Sequence, residues 1–343
     1  MDVPTPRTAD PRRDALVAWL QRLPVRTDVA TLRSASADAS FRRYFRVDAP
    51  EQPRGTLIVM DAPPEKEDVR TFVGVAQLLA DAGLHVPAIV AADVAQGFLL
   101  LTDLGTQTYL DVLNEENADA LYRDAIAALV KWQRASRAGV LPPYDEALLR
   151  RELDLFADWY VARHLRVELD ARQRGVLEQQ YRLLLDACLA QPCVYVHRDY
   201  MPRNLMVAEP NPGVLDFQDA VYGPITYDIA SLTRDAFISW SEERVLDWTI
   251  RYWEAARRAH LPVAADFAEF YRAFEWMGLQ RHLKVLGIFA RINYRDGKPR
   301  YLADTPRFVR YVRAVVHRYN ALAPLARLFD ELEGVAVQVG YTF

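Results

Sequence analysis

Hydrophobic periodicity changes once along this chain, near Gly105, and that change narrows the possible folds more than any other feature. Ahead of it, short strand-like runs dominate. Phe41–Val47 and Thr56–Met60 read as strands around a Pro/Gly turn over Ala49–Gly55, and Pro63-Pro64 closes the second. Ala88–Ala92 and Phe98–Leu101 add two more. Two helical stripes accompany them. One is Leu16, Val17, Trp19, Leu20 and Leu23 within Arg13–Leu23; the other is Val69, Phe72, Val73, Ala76, Leu79 and Ala80, stopping near Gly83. Beyond Thr102-Asp103-Leu104-Gly105 the period becomes helical over Ala118–Ala138, Glu146–His164 and Ala171–Ala190, and again from Tyr227 to about Leu332. Short strands near Val194–Val196, Leu205–Val207 and Val214–Leu215 interrupt it. This pattern predicts a two-lobed α+β architecture: a small sheet-containing lobe over residues 1–103 and a larger helical lobe over 104–343.

Composition excludes several classes of function. A formal net charge of -4, with no long basic block, argues against wrapping nucleic acid or coating an anionic membrane. No apolar run is long enough to span a bilayer, and the N-terminus lacks a signal core. Two cysteines, Cys188 and Cys193, are too few for a disulfide framework, so the expected location is the cytoplasm. The 6 histidines lack zinc spacing, and no G-x-S-x-G elbow is present. Nothing requires an obligate protein partner.

The chemistry concentrates in Val196-His197-Arg198-Asp199-Tyr200-Met201-Pro202-Arg203-Asn204, followed by Leu215-Asp216-Phe217. An apolar strand delivers a His, an Asp two residues on and an Asn five beyond that; a second apolar run ends on another Asp. Phosphoryl transfer from a nucleoside triphosphate needs charge neutralisation, alignment and a carboxylate to orient the attacking hydroxyl. Asp199 suits the carboxylate role. Asn204 and Asp216 offer oxygen ligands of the kind magnesium takes. His197 is placed to brace the loop, and Pro202 to stiffen it. A plain turn, with Asp and Asn capping the backbone, leaves the flanking apolar runs unexplained.

These residues resemble the catalytic core of the aminoglycoside phosphotransferase and choline kinase superfamily, a resemblance that extends over nearly the whole chain. It implies a protein-kinase-like fold, ATP and Mg2+ as cofactors, Asp199 as catalytic base and Asn204 and Asp216 as metal ligands. Leu99–Gly105 resembles the family's hinge, which implies that main chain near Leu101, Asp103 and Leu104 pairs with adenine. Tyr227-Asp228-Ile229-Ala230 resembles the segment whose Asp braces the catalytic loop, here Asp228. Ala37–Arg46, Val59–Glu65 and Tyr222–Asp228 resemble a narrower group, bacterial anomeric sugar kinases of cell-wall recycling. That implies an N-acetylated amino sugar, N-acetylmuramate or N-acetylglucosamine, phosphorylated at its C1 hydroxyl.

The sequence departs from the family in two places. No G-x-G-x-x-G is present; Ser34–Ser40 precedes a strand instead, and Ser36 and Ser40 are the expected phosphate donors there. The strand Leu57–Met60 lacks the phosphate-gripping Lys. Arg42, Arg43 and Arg46 on the preceding strand are the replacement candidates, with Arg43 on the opposite face from the other two. On the acceptor side, Gln218 and Asp219 are expected to bind sugar hydroxyls. Arg281 or Lys284, on a helix over Phe267–Ala290, is expected to meet a carboxylate. The competing readings are a kinase for an aminoglycoside, choline or another amino alcohol, and a nucleotide-binding pseudokinase.

Overall fold

The computed structural model describes residues 10–36 and 41–334. The chain begins with α1 (Pro11–Leu20), β1 (Asp28–Ser36), β2 (Arg43–Asp48), β3 (Thr56–Asp61), α2 (Val69–Asp81), β4 (Ile89–Asp93) and β5 (Phe98–Thr102). It continues with α3 (Tyr109–Val112), α4 (Ala118–Arg134), α5 (Glu146–Leu155), a π-helical turn over Phe156–Leu165, and α6 (Ala171–Leu189). Then come β6 (Cys193–Val196), a 3₁₀ turn at Pro202–Asn204, β7 (Leu205–Met206), β8 (Gly213–Val214) and β9 (Val221–Pro224). The C-terminal part is α7 (Tyr227–Thr233), α8 (Glu242–Arg258), α9 (Phe267–Asp296), α10 (Thr305–Val316) and α11 (Ala323–Leu332). Among the described residues, those up to 107 together with 206–218 form one compact unit, and 108–205 with 219–334 form a second. The division therefore differs from a single cut at residue 103: the first unit takes back the β7–β8 hairpin and the segment carrying Asp216.

In the first unit a five-stranded antiparallel sheet has the order β1-β2-β3-β5-β4. Strand alternation sends Val47, Leu57, Val59, Phe98 and Leu100 to one face, where Leu16, Trp19 and Leu20 of α1 cover them. Each such fully buried side chain contributes roughly 1.5–3 kcal/mol. On β5, Leu99 and Leu101 are buried as well, so this central strand is apolar throughout. β1 is an edge strand with irregular register, and Leu32 is buried in it. It carries little periodic apolar signal, which is why Ser34–Ser36 read as a loop and prove to be strand. In α2, Asp68 caps the first turn, and Val69, Phe72, Val75, Ala76 and Leu79 make its buried stripe.

In the second unit α9 is the central element. It is buried on all sides from Phe274 to Leu286 and packs against α5, the π-helical turn, α6, α7 and α10. At Gly287 it approaches α5 tightly: an added Cβ would lie 2.3 Å from the main chain of Leu155. A helix enclosed on all sides must bury whatever charges it carries, and those charges then need internal partners. β6 pairs with β9 from Cys193↔Pro224 to Val196↔Val221, which sets the strand leading into the catalytic motif beside the strand leading into α7. Cys188 and Cys193 are both free thiols. No helix among the described residues is long and apolar enough to cross a membrane.

Candidate active site

The motif loop in the second unit is held mainly through its backbone. Asp228, fully buried in the first turn of α7, accepts hydrogen bonds from the amides of His197 (2.7 Å) and Arg198 (3.0 Å). Burial pushes its carboxyl up to about 7, against the pull of those two N–H groups. The Asp199 amide donates to His197 Nδ1 at 3.3 Å, and the edge of the His197 ring faces Tyr200. Asn204 Nδ2 donates to the Asp199 carbonyl at 2.9 Å, which closes the loop over the 3₁₀ turn at Pro202–Asn204. Arg198 sits at φ 74, a left-handed conformation uncommon for a side-chain-bearing residue. Asp199 itself is half-buried.

Behind this loop lies a charged cluster of which the sequence reading singled out Lys284 alone, for a different role. Glu152 on α5 accepts from Arg198 Nη2 and Lys284 Nζ, each at 2.7 Å on Oε1. Its Oε2 accepts from the Tyr144 hydroxyl and from Gln280 Nε2 at 3.3 Å. Burial alone would raise the Glu152 carboxyl, but the Lys284 ammonium and Arg198 guanidinium outweigh it and bring it down to about 2. Burial likewise works against the Lys284 ammonium, and Glu152 reverses that, so its affinity for the proton rises. One signal was available in the sequence: Glu152 falls on the apolar stripe Leu149, Leu153, Phe156, where an acid must be buried.

Arg281 and Lys284 therefore do other work than expected. Lys284 is committed to Glu152 and to the Tyr227 hydroxyl (2.9 Å). Arg281 is 2% exposed, and its Nη1 points to the Arg234 carbonyl at 3.4 Å. Both side chains are held inside the helical core, since α9 has no solvent face at these positions. His282 is likewise buried, packed on Phe308 and Tyr311.

In the first unit, Asp216 also has a left-handed backbone, φ 61. Gln218 Nε2 donates to its Oδ1 at 3.0 Å, so Gln218 orients a carboxylate where a sugar contact was expected. Phe217 packs on Phe72 with ring centroids 4.8 Å apart, which hangs Asp216 beside the first turn of α2. Asp219 is exposed. Leu101 is paired on both sides, with Ile58 and Ile89, so it belongs to the sheet interior and not to a free hinge edge. Asp103 accepts from Arg46 (2.5 and 3.0 Å), Thr56 Oγ1 (2.7 Å) and the Gly105 amide (2.8 Å); its side chain shapes the linker. Leu104 packs with Met206 and Ala208.

The three arginines of the phosphate question separate clearly. Arg46 is committed to Asp103. Arg43 bonds to Asp61 (2.6 Å) and Asp10 (2.5 Å), and Arg12 also grips the fully buried Asp61. Arg42 pairs with Glu67 at 3.9 Å, one residue ahead of the helix cap Asp68. Ser36 is the last residue of β1, and Ser40 lies outside the described residues.

In donor chemistry, an amide oxygen such as that of Asn204 and a carboxylate such as that of Asp216 are each of the kind a hard cation takes. Among the described residues no cluster of three His, Cys, Asp or Glu offers a softer metal a site.

Comparison with known proteins places the chain in a family. A family model described as "Phosphotransferase enzyme family" matches residues 31–267. The N-acetylmuramate/N-acetylglucosamine kinase of Pseudomonas putida is 56% identical over 306 residues, 89% of each chain. That of Neisseria meningitidis serogroup B is 51% identical over 337 residues, 97% of this chain and 99% of its own. Among solved structures, ADP-bound aminoglycoside phosphotransferase APH(2'')-Ib matches with TM-score 0.59 at 15% identity, covering 87% of this chain and 97% of that one. Amicoumacin kinase hAmiN, in complex with AMP-PNP, Ca2+ and Ami, matches with TM-score 0.61 at 14% identity, covering 87% and 92%. At such identities these structures show a shared fold.

Proposed function

The chain belongs to the phosphotransferase enzyme family, and on that footing we propose that it moves the γ-phosphoryl group of ATP to the anomeric C1 hydroxyl of N-acetylmuramate and N-acetylglucosamine. The observation that carries this reading is identity of 51% to 58%, over most of the chain, with relatives that bear that kinase name. The place of action is the cytoplasm, in the reuse of cell-wall sugars. The partners are the amino sugar and ATP.

Asp199 accepts a hydrogen bond from the C1 hydroxyl and aligns it for in-line attack. An anomeric hydroxyl is more acidic than an ordinary alcohol, so alignment and charge matter more than full deprotonation. Asn204 and Asp216 are the proposed magnesium ligands; the ion, when bound, neutralises charge on the transferring group. Gln218 sets the direction of the Asp216 carboxylate. Arg42, Arg43 and Arg46 remain the candidates for the role of the missing strand lysine; Arg43 also holds Asp61 and Arg46 also holds Asp103. Main chain around Asp103 and Leu104 receives the adenine.

The test is ADP release with a panel of acceptors, followed by phosphorus NMR of the product. N-acetylmuramate or N-acetylglucosamine should be turned over and carry phosphate at C1, while aminoglycosides and choline give none. Asp199→Asn should lower kcat about 10²–10⁴-fold with ATP affinity nearly unchanged. Turnover retained in that variant overturns the assignment of Asp199.

A further inference from the structure

Arg198 is held at both ends. Its amide donates to Asp228, and its guanidinium reaches Glu152. Glu152 in turn holds Lys284, Lys284 donates to the Tyr227 hydroxyl, and Tyr227 is the residue before Asp228. The contacts thus form a closed circuit through α5, α7, α9 and the residue immediately before Asp199. Aromatic faces line it: Arg198 lies over the Tyr144 ring (5.6 Å), Lys284 over the Tyr227 ring (5.5 Å), and the two rings meet edge-on at 5.3 Å.

The circuit is costly unless it does something. A left-handed backbone at a non-glycine residue stores strain, and glycine would occupy φ 74 freely. Two cations and one carboxylate are buried together, with side-chain exposures of 20% for Arg198, 10% for Lys284 and 6% for Glu152. Buried ion clusters are poor sources of net stability compared with apolar packing, and their best-attested use is fixing one arrangement. Here the arrangement fixed is the peptide that carries Asp199.

We propose that Glu152 is a positioning residue for phosphoryl transfer: it anchors the strained Arg198 by its guanidinium, with Lys284 as the balancing charge, and thereby sets the direction in which Asp199 faces its acceptor. Lys284 then belongs to the support of the base and not to a carboxylate-binding site. This inference rests on the reading of Asp199 as catalytic base.

A double-mutant cycle tests it. Glu152→Gln, Arg198→Gly and the combination are compared for kcat at saturating sugar and for ADP affinity by calorimetry. Each single change should lower kcat at least tenfold with the ADP Kd within about twofold, and the pair should lose no more than the worse single, because both break one circuit. Losses that multiply, a Glu152→Gln kcat within twofold of wild type, or a parallel fall in kcat and ADP affinity would each overturn the proposal. The last of these is what a merely structural role would give. If Glu152→Gln does not fold, Glu152→Gln/Lys284→Met removes a cation along with the carboxylate. It should keep ADP affinity and still lose kcat tenfold; near wild-type kcat overturns the proposal. A wild-type chain inactive on both N-acetyl sugars counts against the substrate reading instead, and the same cycle is then scored on basal release of ADP from ATP.

Discussion

At the scale of single residues, what a charged side chain can do is decided by which carboxylate claims it. Arg42, Arg43 and Arg46 look alike in the sequence, and strand alternation separates only Arg43 from the other two. Burial of Asp61 and Asp103 resolves the rest, since a buried carboxylate left unpaired is expensive and takes the nearest guanidinium. For Asp103, burial alone would raise the carboxyl, yet Arg46 and its other donors hold it below the usual range. If the phosphate role falls to Arg42, Arg42→Ala should raise the KM for ATP about tenfold. Arg43→Ala should act the other way, costing about 2 kcal/mol of stability through its charged hydrogen bonds while leaving KM nearly unchanged. Steady-state kinetics beside thermal melts separate the two, and the reverse pattern would return the phosphate role to Arg43. The motif residues could be singled out because their spacing is local. Glu152 was not assigned, because its partners Arg198 and Lys284 lie 46 and 132 residues away in sequence.

At the scale of elements, long periodic stripes were read well and irregular backbone poorly. The helices beginning at Val69, Ala118 and Ala171 have enough turns for the 3.6-residue period to stand out. β1 and β9 were not read as strands: β1 is a largely polar edge strand, and β9 is a four-residue run containing Gly223 and Pro224. The expected single helix over Glu146–His164 changes to π-helical form at Phe156, beside the contact of Leu155 with Gly287. That contact matters for the cluster beneath Asp199. Leu155 lies three residues after Glu152 and Gly287 three after Lys284, so the close approach of α5 and α9 is what lets the two charges meet. Gly287→Ala should push the helices apart, costing about 1–3 kcal/mol by overpacking and lowering kcat as well as Tm. A melt unchanged from wild type would show that the helices tolerate the methyl group and that the approach is not tight in solution.

At the scale of the whole molecule, the same cluster couples folding to pH. Glu152 is held at about 2 against an ordinary 4.5, a depressed carboxyl. Its contribution is fully present above pH 4.5 and is lost as pH falls through 4.5 toward 2, on the order of 3 kcal/mol in all. Chemical denaturation of wild type and Glu152→Gln should show a stability gap that is wide at pH 7 and narrows through that window; a gap independent of pH would mean the carboxylate is not ionically held. The α+β class, the change from strand to helix near Gly105 and the reaction class were determined by sequence, because each rests on periodicity or on a motif a few residues long, the same motif that makes Asp199, Asn204 and Asp216 the proposed site residues. The return of the β7–β8 hairpin to the first unit, the commitment of Arg43 and Asp103 to internal pairs, and the withdrawal of Arg281 and Lys284 into the core were decided only by tertiary structure. The reason is that the partner of a buried charge is chosen by burial and by contacts between residues far apart in the chain, and neither leaves a local mark in the sequence.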